Sequence, residues 1–168
     1  LKREDNCSYY IYSYKGQMSM TTDKEGSIIL YQGMYASCSS EFMLTGKGKA
    51  IVIEVLQDKS DYYLSTKYRA MFHVGGVLES EGRLKYIDGC TDTLLIPPVK
   101  MGDPCLNHLH FPDNIDQTQH THPSHRIGVV TDGHGRCLTP FGDMPLTKGM
   151  IFVIKEWDGV TFSKGLDG

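Results

Sequence analysis

Short apolar runs, separated by glycine, proline and polar residues, make up most of the hydrophobic pattern of this chain. In the second half such runs cover residues 84–87, 93–96 and 106–111, and each is followed by a turn signal: Asp-Gly, Pro-Pro and Pro-Asp-Asn. The runs recur at roughly ten-residue spacing, and no helical periodicity persists beyond about two turns. Short strands punctuated in this way are typical of all-β sandwiches and barrels. We therefore expect one all-β domain.

The first half of the chain predicts further strands at residues 27–35, 41–44 and 50–56. Residues 45–49, Thr-Gly-Lys-Gly-Lys, are interpreted as a hairpin turn. They are not a phosphate-binding loop, because the chain continues as a strand where such a loop requires a helix N-terminus. Residues 1–26 are expected to form an N-terminal extension. Their tyrosine-rich run, residues 9–14, predicts an edge strand or a packing arm.

A histidine pair, His120 and His122, begins the segment that is most informative about function. Apolar residues follow it and predict a strand, which Gly133 ends with a turn. Because successive side chains of a strand point to opposite faces, both imidazoles and Arg126 share one face, whereas His125 lies on the other. Imidazole is the commonest side-chain ligand of transition metals. The pattern therefore favours a metal site on this strand face.

The spacing from His120 to Gly133 resembles the first conserved motif of the cupin superfamily. A weaker likeness to the second cupin motif lies at residues 145–154, and the whole block 82–154 is similar to a cupin core. The resemblance implies a cupin-like jelly-roll β-barrel over residues 27–168. It also implies that both histidines bind a divalent transition metal, such as Fe, Mn, Ni or Zn. A dioxygenase, isomerase or lyase type of reaction and a homodimer are further expectations from the resemblance.

The third metal ligand is the open question of this motif. Cupins usually carry Glu where this chain has Arg126, and a guanidinium has no lone pair to donate. Three explanations remain. The chain is cut short, so that closing strands and a downstream histidine are absent; His108 and His110, a second His-x-His pair, supply a ligand; or no metal is bound. Truncation is the preferred explanation, because the barrel would otherwise keep open edges.

Arg126 is also the candidate catalytic and substrate-binding residue. If its side chain points into a partly dry cavity it needs an anionic partner, and its planar fork suits a carboxylate. Cupins that oxidise thiols are similar in combining a three-histidine metal site with an arginine that binds carboxylate. An ion pair with Asp116 or Asp132 is an equally good explanation. The remaining substrate-binding candidates are Gln119, His108 and His110.

Composition narrows the class of function. The chain has 168 residues and a net charge of −3, which gives no general attraction for nucleic acid or for an anionic membrane. Its five cysteines lack Cys-x-x-Cys spacing and predict reduced thiols in a cytoplasmic protein. Two functions remain. One is a metal-dependent enzyme that acts on a small polar, carboxylated molecule, and the other is a non-catalytic module that binds or senses a small molecule.

Overall fold

The computed structural model describes residues 7–56 and 69–164, and strands dominate both ranges. The strands are β1 (Cys7–Thr22), β2 (Gly26–Tyr31), β3 (Tyr35–Cys38), β4 (Phe42–Leu56), β5 (His73–Gly75), β6 (Leu84–Lys85), β7 (Thr91–Ile96), β8 (Leu106–His110), β9 (Ile115–Asp116), β10 (Arg126–Val129), β11 (His134–Thr139), β12 (Gly142–Thr147), β13 (Ile151–Ile154) and β14 (Thr161–Lys164). A 3-10 turn, Ile87–Gly89, lies between β6 and β7. The all-β class predicted from the spacing of apolar runs is confirmed.

The chain forms two compact units, and it passes between them three times: after Glu79, within β7 and within β8. Unit 1 contains the described residues up to Glu79 together with Leu94–His108. Unit 2 contains Ser80–Thr93 and the described residues from Leu109 onward. Residues 7–26, which we expected to form an extension, belong to unit 1, whereas the histidine pair belongs to unit 2.

Strand β1 is the central strand of unit 1. It pairs with β4 along almost its whole length, and its other edge pairs with β2 and β3. Tyr9 and Ile11 are fully buried in one apolar cluster, and Tyr10 is buried in a second one with Ala70 and Ile96. The edge strand predicted for the tyrosine-rich run is therefore wrong. Large apolar side chains project from both faces of β1. The strand is therefore stable only where other residues cover both faces.

The glycine-rich segment predicted as a hairpin turn is instead the middle of β4. Gly46 and Gly48 pair with β1 opposite Met18 and Gly16, next to an irregularity in the register of β1. Gly16 has a φ of +76°, and a Cβ added there would lie 2.5 Å from the carbonyl oxygen of Lys47. Glycine therefore permits a close approach of the two backbones at a bulge, and no reversal of the chain is involved.

Two sheets and one apolar cluster organise unit 2. Strands β12, β11, β14 and β9 form an antiparallel sheet in that order, and β10 pairs with β13. The cluster contains Cys137, Ile154 and Val160, with Leu146, Phe152 and Phe162 packed against them. A Cβ at Gly128 of β10 would overlap the ring of Phe152, its direct cross-strand neighbour. The small size of Gly128 therefore lets this ring reach the cluster.

Candidate functional site

The segment that carries the histidine pair lies alongside β14. The main-chain nitrogen of Gln117 donates to the carbonyl oxygen of Phe162 at 2.9 Å. His120 and Val160 exchange two main-chain hydrogen bonds, of 3.0 and 2.8 Å. Side chains that are directly opposite in such a pair point to the same side of the sheet. Val160 is fully buried in the apolar cluster, so the His120 side chain is directed to the core side.

The continuous strand predicted from His120 to Gly133 is wrong in its first part. Strand β10 begins only at Arg126, and the chain bends at residues 123–124, where Pro123 has no N–H group for a strand ladder. Gly133 ends the segment in a left-handed conformation, with a φ of +72°. The two imidazoles nevertheless meet: their ring centroids are 4.8 Å apart and their planes differ by 78°. The bend follows both histidines, so their contact arises within the short segment that precedes it.

The two histidines have different surroundings. His122 is 8% exposed, and its Nδ1 atom has no hydrogen-bond partner among the described residues. Burial, with smaller contributions from the neighbouring Arg126 and His120, lowers the pKa of His122 to about 4. The imidazole of His122 is therefore neutral at pH 7, which is the state that binds a metal.

The tautomer of His120 follows from its hydrogen bond. Its Nδ1 atom lies 2.8 Å from the carbonyl oxygen of Thr118. A carbonyl oxygen only accepts, so Nδ1 carries a proton, and in the neutral imidazole the lone pair is on Nε2. Histidine ligands in metal sites are commonly oriented by a hydrogen bond from the second ring nitrogen to a carbonyl or carboxylate.

Arg126 lies near the histidine pair, at the beginning of β10. Its guanidinium is exposed and donates a 2.9 Å hydrogen bond to Ser124 Oγ. Its charge also reaches Tyr86, where burial raises the pKa and Arg126 opposes the increase. Within the described ranges, neither Asp116 nor Asp132 forms an ion pair with it, and Asp132 pairs with Lys148 at 2.6 Å. The geometry therefore favours a cation available to a ligand over the predicted ion pair.

The other predicted site residues, His108, His110 and Gln119, make contacts of their own. His110 Nδ1 is 3.5 Å from Thr91 Oγ1 in unit 2, whereas His108 belongs to unit 1. The Gln119 amide packs over Gly159, where its Nε2 lies 3.1 Å from the position of an added Cβ. In residues 7–56 and 69–164, no group of three or more His, Cys, Asp or Glu side chains is arranged to hold a metal. The described residues therefore supply two imidazoles and leave the third ligand unassigned.

The turn predicted at Asp88-Gly89 holds the histidine segment, a contact that the sequence did not indicate. Asp88, at the tip of the 3-10 turn, accepts a hydrogen bond from the main-chain nitrogen of Thr118 at 2.5 Å. Gln117, 3% exposed, donates through Nε2 to Cys90 Sγ at 3.3 Å. The Asp88-Gly89 pair predicted only a turn, because nothing local indicates a contact with a segment 30 residues away.

Comparison with known proteins bears on the fold alone. No family model matches the sequence, and no curated protein matches it. Among solved structures, the chain is similar to a cupin 2 conserved barrel domain protein from Leptotrichia buccalis, with a TM-score of 0.62, 14% identity, and coverage of 99% of this chain and 74% of that one. It is also similar to the protein Ylba from E. coli, with a TM-score of 0.60, 11% identity, and coverage of 98% and 65%.

A third similar structure is vicilin from hazelnut, Corylus avellana, with a TM-score of 0.50, 10% identity, and coverage of 95% of this chain and 66% of that one. This chain thus spans slightly less than two thirds of the length of Ylba and of vicilin. These likenesses extend over nearly the whole of this chain, and the fold is that of the cupin barrels. The fold expected from the histidine motif is confirmed.

Proposed function

We propose that this protein is a metal-dependent enzyme of cupin type that acts on a small polar, carboxylated molecule. The observation that supports this proposal most directly is the contact between the rings of His120 and His122, whose centroids are 4.8 Å apart. One imidazole is buried and neutral, and the other is oriented so that Nε2 carries a lone pair. A dioxygenase, isomerase or lyase type of reaction belongs to this proposal.

The donor set of the pair fits a divalent transition metal. Imidazole nitrogens suit Fe, Mn, Ni and Zn, and the unsatisfied Nδ1 of buried His122 is a polar atom that lacks a partner among the described residues. A metal bound there would supply a Lewis acid next to the substrate. Its remaining ligands would come from water, from the substrate or from residues outside the described ranges. His120 and His122 would hold the ion, and Thr118 would keep the His120 ring in one orientation.

Metal binding tests the proposal directly. We expect purified protein, reconstituted with Fe(II), Mn(II), Ni(II) or Zn(II) and dialysed, to retain about one ion per chain. His120→Ala and His122→Ala variants are expected to lose at least about 100-fold in affinity, because a single imidazole holds an ion weakly. Elemental analysis and calorimetric titration measure both quantities. His125→Ala is the matched control, since His125 is exposed and its Nδ1 accepts from the main-chain nitrogen of Glu156.

Two results would contradict this assignment. Wild-type protein that retains no ion under any of these conditions is one of them. Unchanged affinity in both variants, with the His125→Ala control also unchanged, is the other, because the ion would then be bound elsewhere.

In this proposal Arg126 binds the carboxylate of the substrate. Arg126→Ala is expected to weaken the binding of small carboxylates by about 10-fold or more, because a charge-assisted hydrogen bond to a carboxylate contributes roughly 1.5–3 kcal/mol. Stability should change little, because the side chain is exposed. Titration of a carboxylate panel, followed by protein NMR, measures the effect. Arg136→Ala is the control, since this arginine is similarly exposed but pairs with Asp143. Equal losses in the two variants would point to a nonspecific charge effect.

The second candidate is a non-catalytic module that binds or senses a small molecule. It is favoured by the absence, in the described part of the chain, of any group of three potential metal ligands. An organic ligand that co-purifies with metal-free protein would support this candidate over the enzyme.

For either function we propose a soluble homodimer, to be tested by light scattering. No helix within the described ranges is long and apolar enough to cross a membrane.

A further inference from the structure

The turn at residues 86–90 makes two directional contacts with the segment that leads into the histidine pair. Two main-chain hydrogen bonds fix the shape of the turn. The N–H of Tyr86 donates to the carbonyl oxygen of Cys90 at 2.8 Å, and the N–H of Cys90 donates to the carbonyl oxygen of Ile87 at 3.0 Å. Asp88 then accepts from the Thr118 main chain, and Cys90 accepts from the buried Gln117 side chain. Two consecutive residues of the histidine segment are therefore tied to one turn.

The pKa of the Asp88 carboxyl reflects its contact with Thr118. Both the main-chain N–H and the side-chain hydroxyl of Thr118 lower the pKa of Asp88, and His120 nearby adds a smaller lowering effect. Asp88 has a φ of +54°, a left-handed conformation that aspartate and asparagine adopt more readily than most residues. The turn thus directs a carboxylate at one residue, and the carbonyl group of that residue accepts from His120 Nδ1.

We propose that Asp88 is a positioning residue for His120, which it orients through the main chain of Thr118. The carboxylate holds the N–H side of Thr118, so that the carbonyl oxygen on its other side keeps a fixed direction toward His120 Nδ1. The imidazole then stays in the tautomer with the proton on Nδ1, and Nε2 remains available for a ligand. This inference rests on the proposed function in so far as that ligand is a metal.

The contact is within unit 2, and the chain offers a matched control for it. Asp116 is an exposed carboxylate two residues before Thr118 on the same segment, and it lies opposite Ser163 in the sheet. Asp88→Asn removes the charge and one acceptor but keeps a residue that tolerates a positive φ. Asp116→Asn removes the same charge from the same segment but leaves the hydrogen bond between Asp88 and Thr118 in place.

The test uses full-length, metal-free protein with ¹⁵N-labelled histidine. The ¹⁵N shifts of the His120 ring report its tautomer without any metal or substrate. We expect the Nδ1–H form in the wild type and in Asp116→Asn, and a mixture of tautomers in Asp88→Asn. In titrations with Zn(II), Asp88→Asn is expected to bind about 10–100-fold more weakly than the wild type, the range found for residues that orient histidine ligands.

The possible outcomes separate this inference from the proposed function. An Nε2–H tautomer in the wild type would overturn the positioning role, as would an Asp88→Asn variant with the wild-type ring shifts and wild-type Zn(II) affinity. A tautomer change in Asp88→Asn, together with a wild-type protein that binds no metal, would support the positioning role and reject the metal-dependent function. Circular dichroism of each variant establishes that the fold is kept.

Discussion

Replacing Ile11 by alanine is expected to lower the free energy of unfolding of unit 1 by about 2–5 kcal/mol, the range for removing a large aliphatic side chain from a core. Ile11 is 0% exposed and lies in the central strand, directly between Ala36 of β3 and Val52 of β4. Because hydrogen-bonded strands hold the backbone on both sides, the cavity can relax only partly. Urea denaturation followed by circular dichroism, with hydrogen exchange of the β1 amides, measures the loss.

Ile29→Ala is the control for this prediction. Ile29 lies in β2 of the same unit but is 46% exposed, so the same truncation should cost less than about 1 kcal/mol. Similar losses in the two variants would mean that β1 is not the covered, central strand described above. A large loss at Ile29 alone would place the core of unit 1 on the other side of β2.

The all-β class and the histidine motif were accessible from sequence because both depend on local chemistry. Glycine and proline restrict or free the backbone where they stand, so the turns after residues 87 and 96 are encoded by the residues that form them. The pairing of His120 with His122 depends on two residues that are almost adjacent. The two rings meet although the predicted continuous strand is wrong, because the bend at Pro123 comes after both histidines and leaves them on one short segment.

Three features that the sequence did not reveal are determined by distant partners. Gly46 and Gly48 serve close strand approach in β4, but the same residues are equally suited to a turn, and only the presence of β1 decides between the two. The tyrosine-rich run has an alternating pattern that also fits an edge strand, and only the pairing of both its edges, with β4 and with β3, makes it part of a central strand. Asp88 accepts a hydrogen bond from Thr118, 30 residues away, and no local sequence pattern indicates this contact. Pairing over long sequence separations therefore limits the prediction more than local propensity does.

The stability of unit 2 is expected to decrease as the pH falls below the ordinary range of histidine, because His122 is held neutral in the folded state. Its pKa is about 4 when folded, as a result of burial with smaller contributions from the neighbouring Arg126 and His120, against roughly 6.5 in an unfolded chain. Between these values the unfolded state binds a proton that the folded state does not. Stability is therefore fully present above about pH 6.5 and is lost progressively toward pH 4.

The expected loss from this single group is about 2 kcal/mol at pH 5 and about 3 kcal/mol near pH 4. Trp157, the one tryptophan of the chain, donates its main-chain N–H to the carbonyl oxygen of His122, so its fluorescence reports on this part of unit 2. Denaturation of the metal-free protein at several pH values measures the effect against a His122→Gln variant, which has no proton to gain at this position. The variant should lose less stability between pH 7 and pH 4 than the wild type, by about the amounts given.

His125→Gln is the matched control for this pH dependence, since His125 is exposed on the same segment. This variant should retain the pH dependence of the wild type. Identical slopes in His122→Gln and the wild type would show that the His122 imidazole is protonated equally in the folded and unfolded states. The assignment of His122 as a buried, neutral imidazole, on which the proposed metal site depends, would then be wrong, whatever ions the protein binds.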